Sequence, residues 1–238
     1  MKNIFTSSDN SEIQDKVSEI MKCMDPKTGY IHFIQNHVKV ANPIYGVVPF
    51  EMRSHQVDLL KFMHEQQATI SCIERQQGKT ICTVAYVLWH AMFNKNEDCL
   101  ILSPNASMSQ EFMSKIRFVY DNCPHLVKSG IRNETKSSVI FENGSRISST
   151  IAGARSRGLR PSLTVYEELA YMNQVTTGEL LRDINGVKRT GGKVIVISSW
   201  NSDADPMADL WRVSNATPEK NRTGEIVSRS PLTPFHMI

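Results

Sequence analysis

Glu74-Arg75-Gln76-Gln77-Gly78-Lys79-Thr80 follows an apolar run from Ala68 to Ile73 and opens a helix-compatible segment that begins at Ile81. A strand, a short loop ending in Gly-Lys-Thr and a helix surround a phosphate chain with backbone N–H groups and the positive end of the helix. In that arrangement Gln76, Gln77 and Gly78 form the cradle, Lys79 reaches the β and γ phosphates, and the Thr80 hydroxyl holds Mg²⁺. The chemistry expected is therefore that of a nucleoside triphosphate with Mg²⁺. The loop is irregular, because the usual pattern opens with Gly where this chain has Ile73, and Arg75 stands inside it.

A second signal lies far downstream, where the apolar run Leu163-Thr164-Val165-Tyr166 ends in the adjacent carboxylates Glu167 and Glu168. The first acid would hold Mg²⁺, partly through water, and the second would polarise the water that attacks the γ phosphate. An acid pair at a helix start is the competing reading for such residues alone; its pairing with Gly78-Lys79-Thr80 favours the nucleotide site. Three further candidates are weaker. Arg157, in the loop before the acid strand, offers charge to a transferring phosphoryl group or sits in a surface turn. Ser198 and Ser199, ending the run Val194 to Ile197, are placed to sense a γ phosphate or simply make a turn. Gln56 could pair with an adenine edge.

The elements that must position these residues read as alternating strands and helices. Expected strands are Ala68 to Ile73, Cys99 to Leu102, Leu163 to Tyr166 and Lys193 to Ser198; expected helices are Glu12 to Met24, Ser54 to Gln66 with Ser54 as N-cap, Lys79 to Phe93, Met108 to Tyr120, Thr177 to Asn185, and one from Pro206 through Val213. Strand–helix alternation predicts an α/β fold with a mostly parallel central sheet flanked by helices. Asn143-Gly144 between extended runs predicts a β-hairpin ornamenting that core. Asn42 to Pro49 reads as an extended connection with turns. The tail after Asn215, with Pro218, Pro231 and Pro234, reads as having little regular structure.

Composition narrows the class without adding chemistry. The 238 residues are 40% hydrophobic and 21% charged, ordinary for a globular protein, and a formal charge of +3 permits nucleic acid without demanding it. Apolar runs are too short for a membrane span, and the N-terminus lacks a signal pattern. The cysteines Cys23, Cys72, Cys82, Cys99 and Cys123 lack C-x-x-C spacing, so neither a disulfide framework nor zinc is indicated.

Taken together, these motifs resemble the ATPase motor domain of the large terminase subunit of tailed bacteriophages. The resemblance spans roughly Gly29 to Val213. It rests on Met52 to Leu60, the phosphate loop, Ser103 to Ser109, Asn143-Gly144-Ser145, Arg157-Gly158, the acid pair and the stretch from Ile197 to Trp211. It implies a P-loop NTPase of the ASCE type with a small C-terminal lid-like segment, Arg75 acting within the subunit, Arg157 acting on a neighbouring subunit, Ser198 and Ser199 as a coupling motif, and Gln56 at the adenine. Glu167 stands where the family usually has Asp, and Trp200 where it usually has Pro. That makes Glu168 the firmer candidate for the catalytic base.

The organisation expected is an N-terminal helix and lead-in over 1–50, an ATPase core over 51–213 and a lid or linker over 214–238. No segment supplies the acids of a ribonuclease H-type nuclease domain, so DNA cleavage is not expected; an excised motor domain beginning at Met1 is the simplest account. Implied partners are double-stranded DNA, a portal protein, a small terminase subunit and further copies of the chain in a ring, with a monomer in isolation, in the host cytoplasm and without a membrane. A helicase-like nucleic-acid ATPase and a nucleotide-binding assembly module without efficient hydrolysis are the alternatives.

Overall fold

The apolar runs form the middle of an eight-stranded sheet. In the computed structural model, residues 7–153, 161–216, 219–220, 226–228 and 232–236 are described. β3 (Ala68–Cys72), β9 (Lys193–Ser198), β8 (Leu163–Glu167) and β4 (Asp98–Ser103) lie side by side in that order and are parallel. Every residue of β8 is buried, the pattern of a strand covered on both faces. Successive residues point to opposite sides, so Ile195 and Ile197 of β9 join one core while Val194 and Val196 join the other. The first core is closed by α3 (Ser54–Glu65), α4 (Lys79–Phe93) and α5 (Ala106–Asn122) through Leu59, Leu88 and Phe112. The second is closed by α6 (Thr177–Arg189) and α7 (Pro206–Asn215) through Leu180, Ile184, Met207 and Leu210.

This is the α/β fold with a mostly parallel sheet that the alternation predicts. β9 lies between β3 and β8, so one strand separates the loop after β3 from the acid pair. All three strands end on the same edge, the carboxyl edge where parallel sheets bind ligands.

Several local expectations are corrected. The Asn143-Gly144 turn does join β6 (Ser138–Phe141) to β7 (Arg146–Ile151), but the hairpin is no ornament. β7 pairs in parallel with β4, and β5 (Ile131–Thr135) pairs with β6, so the sheet itself continues through them. The tail is more regular than its prolines suggest. β12 (Thr233–Phe235) adds in parallel to β3 at the sheet edge, where Pro234 can sit without disrupting an inner ladder, and Phe235 packs 5.1 Å from the Phe62 ring. β10 (Glu219–Lys220) and β11 (Ile226–Ser228) form a separate pair. Asn42 to Pro49 is not merely extended: β1 (Lys39–Asn42) and β2 (Gly46–Pro49) form a hairpin, and the Asn42 side chain accepts the N–H groups of Ile44 and Tyr45. Ser54 is the first residue of α3, and Arg53 occupies the N-cap.

Two elements precede the core. α1 (Ser7–Met24) begins earlier than the periodicity suggests, and α2 (Gly29–His37) arises from the aromatic stretch after the turn. Tyr30 of α2 stacks on His64 of α3 with ring centroids 4.2 Å apart and meets Trp89 of α4 edge-on, which ties α2 to the core. The C-terminus of α3 is closed by Lys193, whose ammonium donates to the carbonyls of Met63, His64 and Gln66 that the helix leaves without partners. Among the described residues no helix is long and apolar enough to cross a membrane.

Candidate active site

The loop after β3 must reverse sharply to begin α4, and two residues adopt left-handed backbone to do so, Gln76 at φ 65° and Gly78 at φ 77°. At Gly78 a side chain is excluded twice, by that φ and because a Cβ would run into the amide nitrogen of Gln56. Lys79 and Thr80 then open α4, with Lys79 buried.

The acid pair reaches the same loop by a turn in its backbone. Glu167 ends β8, and Glu168 adopts φ 54°, a strained value for a residue with a side chain. The Glu167 carboxyl lies beside the Thr80 hydroxyl, while Glu168 Oε1 sits 3.1 Å from Lys79 Nζ. The other Glu168 oxygen lies 3.3 Å from each of the Ser198 hydroxyl, the Ser199 N–H and the Ser199 hydroxyl. The end of β9 is joined to both loops. The carbonyl of Ser198 accepts from Ile73 at 2.9 Å, the carbonyl of Ile197 from Glu168 at 2.8 Å, and the Ser198 hydroxyl from Ala170 at 3.1 Å. The end of β9 thus bridges the phosphate loop and the acid turn.

Arg75 is exposed, and its guanidinium donates to the hydroxyl of Tyr171, with its centre 6.0 Å from that ring. Tyr171 belongs to the short 3-10 turn Leu169–Tyr171 that follows Glu168. No feature of the sequence singles it out; only the fold brings it opposite Arg75. Between them opens a cleft of ≈ 450 Å³ lined by Arg75, Gln76, Lys79, Glu168, Tyr171 and Ser199, among others.

Gln56 lies against the phosphate loop. Its side-chain oxygen accepts the Arg53 N–H and its amide nitrogen donates to the Gln77 carbonyl, both at 2.9 Å, so it braces the phosphate loop from inside. Arg157 lies outside the described residues.

Thr80 and Glu167 offer hard oxygen donors that fit Mg²⁺. Burial pushes Glu167 up to about 7, against the opposing pull of Lys115 and Thr80, and a divalent cation at this point would restore its charged form. The folded protein without metal then holds a proton here that the unfolded chain has released, so stability at this group is full below about pH 4.5 and is lost as pH rises through about 7. Glu167→Gln should raise the Tm of the metal-free protein at pH 8, by an amount corresponding to roughly 1–3 kcal/mol, and change it little at pH 4.5; thermal melts at the two pH values check this.

No protein-family model matches the chain. In fold it is similar to the large terminase of bacteriophage HK97, with a TM-score of 0.59 and 20% identity over 76% of this chain and 39% of that one. It is similar also to the large terminase of a thermophilic bacteriophage in complex with ATP-gamma-S, with a TM-score of 0.55 and 10% identity over 79% of this chain and 45% of that one. The UvsW helicase of bacteriophage T4 gives a TM-score of 0.51 and 12% identity over 76% of this chain and 63% of that one. The chain thus spans less than half the length of these two terminases. At such identities the likeness is one of fold, the P-loop α/β fold that phage large terminases share with helicase-like enzymes.

Proposed function

We propose that this chain is an ATPase motor of viral DNA packaging, coupling Mg²⁺-dependent ATP hydrolysis to translocation of double-stranded DNA into a procapsid. The observation that supports it best is the linked group at the ends of β3, β8 and β9: Lys79 paired with Glu168, Glu168 held by Ser198 and Ser199, and an arginine inside the phosphate loop itself. The terminase neighbours favour the same reading.

In this mechanism the incoming triphosphate competes with Glu168 for Lys79 and separates the pair. Freed Glu168 orients the attacking water and takes its proton as the bond to the γ phosphorus forms and ADP leaves. Thr80 and, through water, Glu167 would hold Mg²⁺, which would supply charge neutralisation at the phosphate oxygens. Arg75 leaves Tyr171 for the γ phosphate, and Arg157 of a neighbouring copy completes the charge around it. Ser198 and Ser199 pass the release of Glu168 into β9. Gln56 keeps Gln77 in place and contacts the adenine edge. The motor acts in the host cytoplasm as a ring on a portal protein with a small terminase subunit; an isolated monomer hydrolyses slowly.

Arg75→Ala should lower kcat by roughly 10³-fold with little change in KM, the scale of an arginine finger, whereas Tyr171→Phe should leave kcat at or above the original value. Steady-state kinetics at several protein concentrations check this, since a contribution from Arg157 in trans makes kcat rise with concentration. The functional test is ATP-driven uptake of double-stranded DNA by portal-bearing procapsids. Separation of a partial duplex without uptake would favour the helicase reading, which the fold likeness to UvsW supports.

A further inference from the structure

Glu19 and Cys23 stand one turn apart on α1, so they share a face of that helix. The chain then reverses at Asp25, whose carboxylate accepts the N–H groups of Lys27 and Thr28 and the Thr28 hydroxyl, and α2 returns His32 and His37 to the same place. One ligand atom from each residue, a carboxylate oxygen, a sulfur and two imidazole nitrogens, all lie within 4.8 Å of one another. Glu19 Oε1 is 2.7 Å from His32 Nε2 and 2.8 Å from His37 Nε2. Cys23 is fully buried, and the Trp89 indole N–H donates to its carbonyl at 2.8 Å, which anchors the backbone beneath the cluster.

We propose that Glu19, Cys23, His32 and His37 form a structural site for a tetrahedrally coordinated divalent cation, zinc, that staples α1 to α2. One sulfur, two nitrogens and one oxygen suit zinc and exclude the hard cations that a nucleotide site takes. Zinc bonds of about 2.0–2.3 Å place neighbouring ligand atoms about 3.3–3.8 Å apart, so the Glu–His contacts open by about half an ångström while the sulfur draws in. On binding, the thiol loses its proton to solvent and both histidines coordinate through Nε2 with the proton on Nδ1. Such a staple would reinforce a helix whose described side chains Ile13, Val17, Met21 and Met24 are exposed. The sequence signal is not a C-x-x-C pair but Glu19-x-x-x-Cys23 followed, after a turn, by His32 and His37.

The test is titration of the chelator-stripped full chain with Co²⁺. The expected result is a thiolate-to-cobalt charge-transfer band with tetrahedral visible bands, saturating at one ion per chain and displaced by Zn²⁺. Zn²⁺ at a hundredfold excess over its Kd should raise Tm by roughly 5–10 °C. Cys23→Ala should abolish the band and His32→Gln should weaken binding by at least about tenfold, with ATP binding kept in both. Absence of the band from the original chain, or its survival in Cys23→Ala, would overturn the proposal. Should Cys23→Ala not fold, His32→Gln decides, and an unchanged Kd and spectrum there would overturn it equally.

Discussion

Glu168→Gln is expected to lower kcat for ATP hydrolysis by about 10²- to 10⁴-fold, the scale of a lost general base, while ATP affinity stays the same or tightens. The reason lies in the ion pair of the nucleotide-free site. Lys79 and Glu168 are both largely buried and 3.1 Å apart, so in the proposed mechanism ATP must break this pair before Lys79 can reach its phosphates. A glutamine holds Lys79 less strongly and keeps the size and hydrogen bonds that Ser198 and Ser199 require. Binding measured by fluorescent-nucleotide titration and hydrolysis measured by phosphate release should therefore part company. A variant that lost both together would mean that Glu168 serves the architecture rather than the chemistry.

Lys79→Ala should fail the other way. Removing an ammonium that makes charge-assisted bonds to phosphate costs about 3 kcal/mol, or roughly 10²-fold in Kd. It also leaves Glu168 in a largely buried position with only hydroxyl and N–H partners, so the nucleotide-free protein should lose about 1–3 kcal/mol of stability in urea unfolding. Adding Glu168→Gln to Lys79→Ala should return part of that stability, because the unpaired charge disappears. Purely additive losses would show that the two residues are not coupled.

Much of this site is legible in the sequence because its parts are local. Gly78-Lys79-Thr80 is a contiguous run with its own turn and helix, and the apolar strand before Glu167 and Glu168 announces a buried element ending in charge. Sheet order is not local. Nothing between Cys99 and Ile151 states that β7 lies parallel to β4, or that Thr233 to Phe235 returns to the edge beside β3, since such pairings are decided by which faces remain to be covered. Side-chain partners formed across the fold were equally hidden. Tyr171 meets Arg75 only because the turn after Glu168 folds over the phosphate loop, and Gln56 meets Gln77 only because α3 packs beneath it. Cysteine spacing does not reveal the cluster of Glu19, Cys23, His32 and His37, because its donors are of three kinds spread over two helices.

Single-turnover phosphate release from ATP, with and without Mg²⁺, by the original chain and Glu168→Gln at equal nucleotide occupancy, tests the central claim most directly. Mg²⁺-dependent release by the original chain, steeper at higher protein concentration, with Glu168→Gln occupied but at least about 10²-fold slower, is the predicted result. Full occupancy of the original chain without phosphate release at any concentration would contradict it and leave a nucleotide-binding assembly module in place of a motor.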